Sequence, residues 1–329
     1  MLNVTKLRSD ALLVTKAEVK NIALPHLSYS SMVEYCSASP DTDPYDSEVK
    51  REWLECLWKG AVLPVLRELG LYPTKVDPLP RIWWIGVGLM ARAPLHAAAK
   101  FKNGHVQMTT LHYCLPSYTS TIRALQYSRS RQCRQDASML IVTMPTIPGA
   151  TALSAAKEAD AIKYSLPDCG AVETLERPTA ERVLQALPGY SIAHFACHGV
   201  SLINPADSHL LLVKEEEVDK LQVKDIAALK LPSARLAYLS ACSTADTASP
   251  GLVDEVTHIV SSFNIAGFVR VIGALWQSED EACWKAVDFY SALGKTEGVV
   301  VSYRTAIMGL MEQKPSQPMY WAPFIHFGA

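Results

Sequence analysis

His194-Phe195-Ala196-Cys197-His198-Gly199 closes an apolar run with an imidazole and a glycine, and further along Leu239-Ser240-Ala241-Cys242 closes another with a thiol. An α/β sheet presents reactive side chains where its strands give way to loops at their carboxyl edge. If the two runs are neighbouring parallel strands, His198 and Cys242 leave the same edge and meet in one crevice. A free thiol with a pKa of about 8.5 is only a few per cent thiolate at neutral pH, so a cysteine nucleophile needs such an imidazole. The pairing therefore reads as a dyad, Cys242 attacking and His198 serving as base, with acyl transfer through a thioester. Gly199 and Ala241 let a substrate carbonyl approach the backbone, and the N–H groups of Gly199 and Cys242 are the candidate oxyanion donors.

Blander readings compete at each position. A cysteine at a strand end is more often packing than chemistry, and His194, well inside its run, reads as core. Two consecutive strand ends, each with its small residue in place, favour a catalytic pair. A metal centre from His194, Cys197 and His198 is disfavoured, because side chains at 194 and 197 point to opposite faces of a strand. Gly86 and Gly88 lack the third glycine and the helix start of a dinucleotide fingerprint.

The rest of the chain supplies the frame. Its 329 residues are 49% hydrophobic and 19% charged, ample for a buried core, and 31 basic against 33 acidic residues give a formal charge of −2. That balance implies neither nucleic acid nor a membrane surface as partner. The first residues carry Lys6, Lys16, Glu18 and Lys20 where a secretory signal needs an apolar core, and no later run is long enough to span a bilayer. A cytoplasmic location is expected, with the eight scattered cysteines mostly buried thiols.

The opening segment to about residue 38 is poorly periodic, and Ser39 to Pro44 reads as a turn-rich linker. Ser47 to Leu69 has helical periodicity, with Gly70 as its stop and Pro64 bending its last turns. Arg81 to Gly86 reads as a buried strand and Ser117 to Tyr127 as a helix. The polar stretch 129–136 suggests a division into 1–135 and 136–329. Beyond it strand and helix alternate: strands at Met139–Thr143, Ile192–Cys197, Arg235–Ser240 and Phe268–Ile272, helices at 156–164, 179–187, 254–264, 280–293 and 299–311. This predicts a mostly parallel sheet covered on both faces. Lys214-Glu215-Glu216-Glu217 reads as an exposed loop.

These residues resemble a known family. Ile192 to Gly199, Leu239 to Thr244, Phe263 to Trp276 and Tyr320-Trp321-Ala322-Pro323-Phe324 are similar to the CHAT domain, of the caspase and separase clan of cysteine peptidases. Leu79 to Ile85, Ala93 to Ala98 and Ser117-Tyr118-Thr119 extend the resemblance into the front half. It implies a caspase-like α/β/α sandwich at 136–329, preceded at 1–135 by a degenerate caspase-like half. It also implies His198 as general acid/base, Cys242 as nucleophile and Gly199 in the oxyanion hole, with no metal or organic cofactor expected. The implied substrate is a small set of intracellular proteins, cut in controlled cell death or defence, with gasdermin-like substrates among them. Such domains sit in longer proteins behind repeats or sensing modules, so regulatory domains are expected partners. The rival is a catalytically silent domain of the same fold that acts in assembly.

Substrate preference is the least legible. Metacaspases carry an acid two places before the nucleophile, where this chain has Ser240. Asp207, Asp246, Asp254 and Glu255 are the candidates to line a pocket instead, though each taken singly reads better as a solvated carboxylate or, for Asp254, a helix cap. Trp276 is the candidate pocket wall.

Overall fold

The computed structural model describes residues 1–36, 47–73, 79–131, 138–166, 169–202, 204–240, 259–276, 286–295 and 298–329. They group into two compact units. The first comprises Met1–Ser120 with Ile307–Pro323, and the second the described residues of 121–306 with Phe324–Ala329.

In the first unit β1 (Leu2–Val4), β2 (Ser9–Val14) and β3 (Val19–Ala23) form an antiparallel meander. The segment read as poorly periodic is thus a sheet. Its signal is short: only Ser9, Ala11 and Leu13 of β2 turn inward, alternating with more exposed residues. Ser47–Leu57 and Leu63–Glu68 are helical as expected, and Gly70 ends the second with φ of 66°. The irregularity between them is a π turn at Trp58–Val62, immediately ahead of Pro64. A proline ring crowds the carbonyl four residues back, and the wider turn relieves that conflict.

β4 (Arg81–Trp84) is the expected strand, but it is followed by a hairpin of β5 (Ala99–Lys102) and β6 (His105–Thr109). Asn103 and Gly104 turn that hairpin with φ of 51° and 75°, the signature of a type I′ turn. Residues 115–118 form β7 (Leu115–Tyr118), parallel to β4, so the helix expected from Ser117 begins only at Ile122, with Thr121 as its cap. Within this unit His96 is fully buried, its Nδ1 2.8 Å from the Tyr118 hydroxyl. Burial lowers its pKa from 6.5 to about 3, against a smaller opposing effect of the Ala322 backbone. The unfolded chain therefore binds a proton below pH 6.5 that the folded state refuses until about pH 3. Stability is full above 6.5 and should fall by about 1.4 kcal/mol per pH unit from this group as pH drops through that window. Urea titrations between pH 7 and 4 should show that slope, and His96→Gln should remove it.

The second unit holds the expected parallel sheet. Its strands are β8 (Met139–Thr143), β9 (Val172–Glu176), β10 (Ile192–Ala196), β14 (Leu236–Leu239), β15 (Arg270–Ala274) and β16 (Phe324–Gly328). Their order is β16-β15-β14-β10-β8-β9, all parallel except β16, which runs antiparallel to β15. β8, β10 and β14 are buried at every residue, which is why they read as largely apolar runs. Neighbours on β10 show the two covered faces. Phe195 meets Phe263 of the helix Ile259–Ala266 at 5.1 Å between ring centroids, while His194 meets Tyr290 of the helix Ala286–Leu293 at 5.7 Å. This is an α/β/α sandwich, as expected. β16 is fitted by Gly328: at φ of 100° a Cβ there would lie 2.2 Å from the Val269 carbonyl oxygen.

Between β10 and β14 the chain forms a small antiparallel sheet of β11 (Gly199–Val200), β12 (His209–Lys214) and β13 (Glu217–Gln222). The charged run 214–217 is exposed as expected, but it is a tight hairpin rather than a loop. Glu215 and Glu216 both have positive φ, and Arg177 ties Glu216 down at 2.6 Å.

Candidate active site

β10 and β14 are adjacent, parallel and in register, with Ile192 opposite Leu236 and Phe195 opposite Leu239. Their carboxyl ends therefore share one edge of the sheet. β10 ends at Ala196; Cys197 is 1% exposed, and His198 emerges half-buried. The His198 ring is held by its Nε2, 2.8 Å from the carbonyl oxygen of Thr151. A carbonyl only accepts, so Nε2 carries the proton and Nδ1 keeps the lone pair that a base requires.

Thr151 belongs to the loop between β8 and the helix Ala155–Ser165. That loop is fastened at its start, where the Met144 N–H donates to the Ala196 carbonyl at 2.9 Å, and closed on itself by Leu153 N–H to the Pro145 carbonyl, also 2.9 Å. Sequence reasoning missed Thr151, and no signal could have found it, because a backbone carbonyl leaves no trace in residue type.

Gly199 begins β11 opposite Leu210, while the Leu211 N–H donates to the His198 carbonyl at 2.8 Å. That pattern makes the Gly199–Leu210 pair a non-hydrogen-bonded one, so the Gly199 N–H points away from β12. It is an amide presented next to the imidazole and left unused by the ladder, as an oxyanion donor must be.

The other expected site residues divide. Cys242, Asp246, Asp254 and Glu255 lie outside the described residues. Ser240, directly after β14, is 4% exposed, and its hydroxyl has no hydrogen-bond partner among the described residues. Trp276 follows the carboxyl end of β15, the strand beside β14, and is half-buried. Asp207 builds a turn: its Oδ2 accepts from Asn204 Nδ2 at 2.7 Å, and its N–H donates to the Asn204 carbonyl at 3.1 Å. The structure thus gathers His198, Gly199, Ser240 and Trp276 at one sheet edge and gives Asp207 a local task.

His194 is fully buried on the sheet face below. Its Nε2 lies 3.2 Å from Glu158 Oε1, its Nδ1 3.2 Å from the Tyr290 hydroxyl, and its ring stacks on Tyr238 at 5.2 Å. Burial, then the nearby Tyr238, Glu158 and Cys169, push the Tyr290 phenol well above its usual pKa, so it stays a donor.

Residues 51–329 match the profile of the CHAT domain. The Arg specific cysteine proteinase gingipain R (RGPB) has a similar fold: TM-score 0.54 at 11% identity, over 87% of this chain and 68% of that one. The RgpB pro- and mature domains of Porphyromonas gingivalis give 0.53 at 11%, over 87% and 69%. A chain of the Saccharomyces cerevisiae separase-securin complex gives 0.53 at 12%, over 96% of this chain and 21% of that one. No curated protein matches the chain significantly in sequence. Among the described residues no helix is long and apolar enough to cross a membrane.

Proposed function

The chain belongs to the CHAT domain family, and on that premise we propose that it is a cysteine endopeptidase working through Cys242 and His198. The observation that carries this reading is the His198 ring, anchored through Nε2 on the Thr151 carbonyl at the end of β10. In sequence Cys242 stands as far beyond Leu239 as His198 stands beyond its register partner Phe195. His198 Nδ1 takes the Cys242 proton, and the thiolate attacks the scissile carbonyl. The N–H groups of Gly199 and Cys242 hold the oxyanion, and the imidazolium returns its proton to the leaving amine. Water, deprotonated by the same ring, then hydrolyses the thioester and frees the thiol.

In this reading residues 136–329 are the catalytic half and 1–135 a degenerate half of similar build. The substrate is a specific cytoplasmic protein, with regulated cell death or defence as the setting and gasdermin-type proteins as one substrate class. Control rests with domains or repeats of a longer parent protein. The proposed pocket includes Ser240 and Trp276. Ser240 offers a hydroxyl where metacaspases carry an acid for a basic P1 side chain, so any preference for arginine or lysine would rest on Asp207, Asp246, Asp254 or Glu255. A peptide-library profile with Cys242→Ala protein as control tests this reading. Cleavage lost in that variant is the expected result. Cleavage equal in both proteins would refute the peptidase reading.

A further inference from the structure

The loop that carries Thr151 is tied to β10 at both of its ends. At its start the tie is the backbone bond from Met144 to Ala196. Past its end the tie is a side-chain pair: Glu158, in the first turn of the helix Ala155–Ser165, reaches His194 in the middle of β10 at 3.2 Å. Glu158 is 5% exposed and His194 is fully buried. A buried carboxylate against a buried imidazole costs desolvation that an apolar pair avoids, and the return on such pairs is register rather than stability. Tyr290 and Tyr238 enclose the imidazole from the neighbouring helix and strand, and Glu158 is the carboxylate beside it among the described residues.

We infer that Glu158 and His194 are positioning residues: the pair fixes the helix against β10 and thereby holds the Thr151 carbonyl at Nε2 of His198, keeping Nδ1 free as the base. Without it the helix still packs through its apolar residues Ala155, Ala159 and Ile162, but loses its close polar contact with the middle of β10. The loop's far end then moves, and the ring loses the acceptor that selects its tautomer. The link to catalysis rests on the peptidase reading, whereas the hold on the ring does not.

The test uses the whole chain labelled with ¹⁵N-histidine, as wild type, Glu158→Gln, His194→Gln and the apolar double variant Glu158→Met/His194→Phe. The double variant keeps the core filled if the single ones do not fold. The imidazole nitrogen shifts of His198 report its tautomer, and the rate of Cys242 alkylation by iodoacetamide between pH 5 and 9 reports the dyad. The wild-type ring should be the Nε2–H tautomer. Folded variants should mix tautomers, alkylate Cys242 roughly ten- to a hundredfold more slowly at pH 7, and shift the alkylation midpoint back toward that of a free thiol, about 8.5. A role in stability alone would lower the melting temperature and leave both readouts unmoved, and that result overturns the inference. Tautomer mixing in the variants with a Cys242 that is equally sluggish in every protein would uphold the positioning and refute the dyad.

Discussion

Cys242→Ala and His198→Ala are each expected to lower turnover of a cleaved peptide by about four orders of magnitude, and the double variant by little more than either one. The two groups act as one unit: without the imidazole the sulfur is an ordinary thiol, and without the sulfur the imidazole has no nucleophile to activate. The residual rate is what a binding crevice and the Gly199 amide supply alone. Steady-state kinetics on the best library peptide measures all three variants. Cys197→Ala is the control, since Cys197 is 1% exposed and packs as core. It should unfold more easily and retain its catalytic rate; a folded, inactive Cys197→Ala protein beside an active Cys242→Ala one would reverse the assignment.

The second large effect is one of stability. Phe195 is fully buried between β10 and the helix Ile259–Ala266, edge-on to Phe263 at 5.1 Å. Phe195→Ala removes a ring from a packed interior and leaves a cavity, costing about 3–5 kcal/mol. For domains of this size that corresponds to a fall in melting temperature of roughly 6–20 °C, measurable by calorimetry. Because Phe195 is the register partner of Leu239, the cavity opens under the two strands that lead to the dyad. Activity should therefore be lost at a lower temperature than global unfolding. Coincident loss of the two would show that the strand ends are no softer than the rest of the core.

The sheet was legible because its strands are buried on both faces. Met139–Val142 is apolar throughout and the run from Ile192 is broken only by His194, a composition that suits a strand covered on both faces. Ser117 was misassigned for a related reason: Leu115–Tyr118 is short, contains Pro116 and carries two hydroxyls, so its strand character comes from pairing with β4 and not from its own residues. The hairpin at Asn103-Gly104 did have a signal, the Asn-Gly pair itself, which a search for long periodic segments passes over. At the sheet edge the positions of His198 just after β10 and of Gly199 at the start of β11 were legible from the apolar run that precedes them. Thr151 was not legible, since it acts through its carbonyl, and neither was the partnership of Glu158 with His194, since it joins a helix to a strand far away in sequence. Asp207, read from the sequence as a candidate to line the pocket from a neighbouring loop, pairs with Asn204 in its own turn.

The central claim is that the His198 imidazole activates the Cys242 thiol, and it can be measured without knowing any substrate. Brief treatment of the native protein with substoichiometric iodoacetamide at pH 7, followed by peptide mapping, ranks all eight cysteines by reactivity. The account predicts that Cys242 is modified first and far ahead of the others, and that His198→Ala abolishes this lead while leaving the remaining thiols as they were. A Cys242 that reacts no faster than the other thiols, or one whose reactivity is unchanged in His198→Ala, would contradict it.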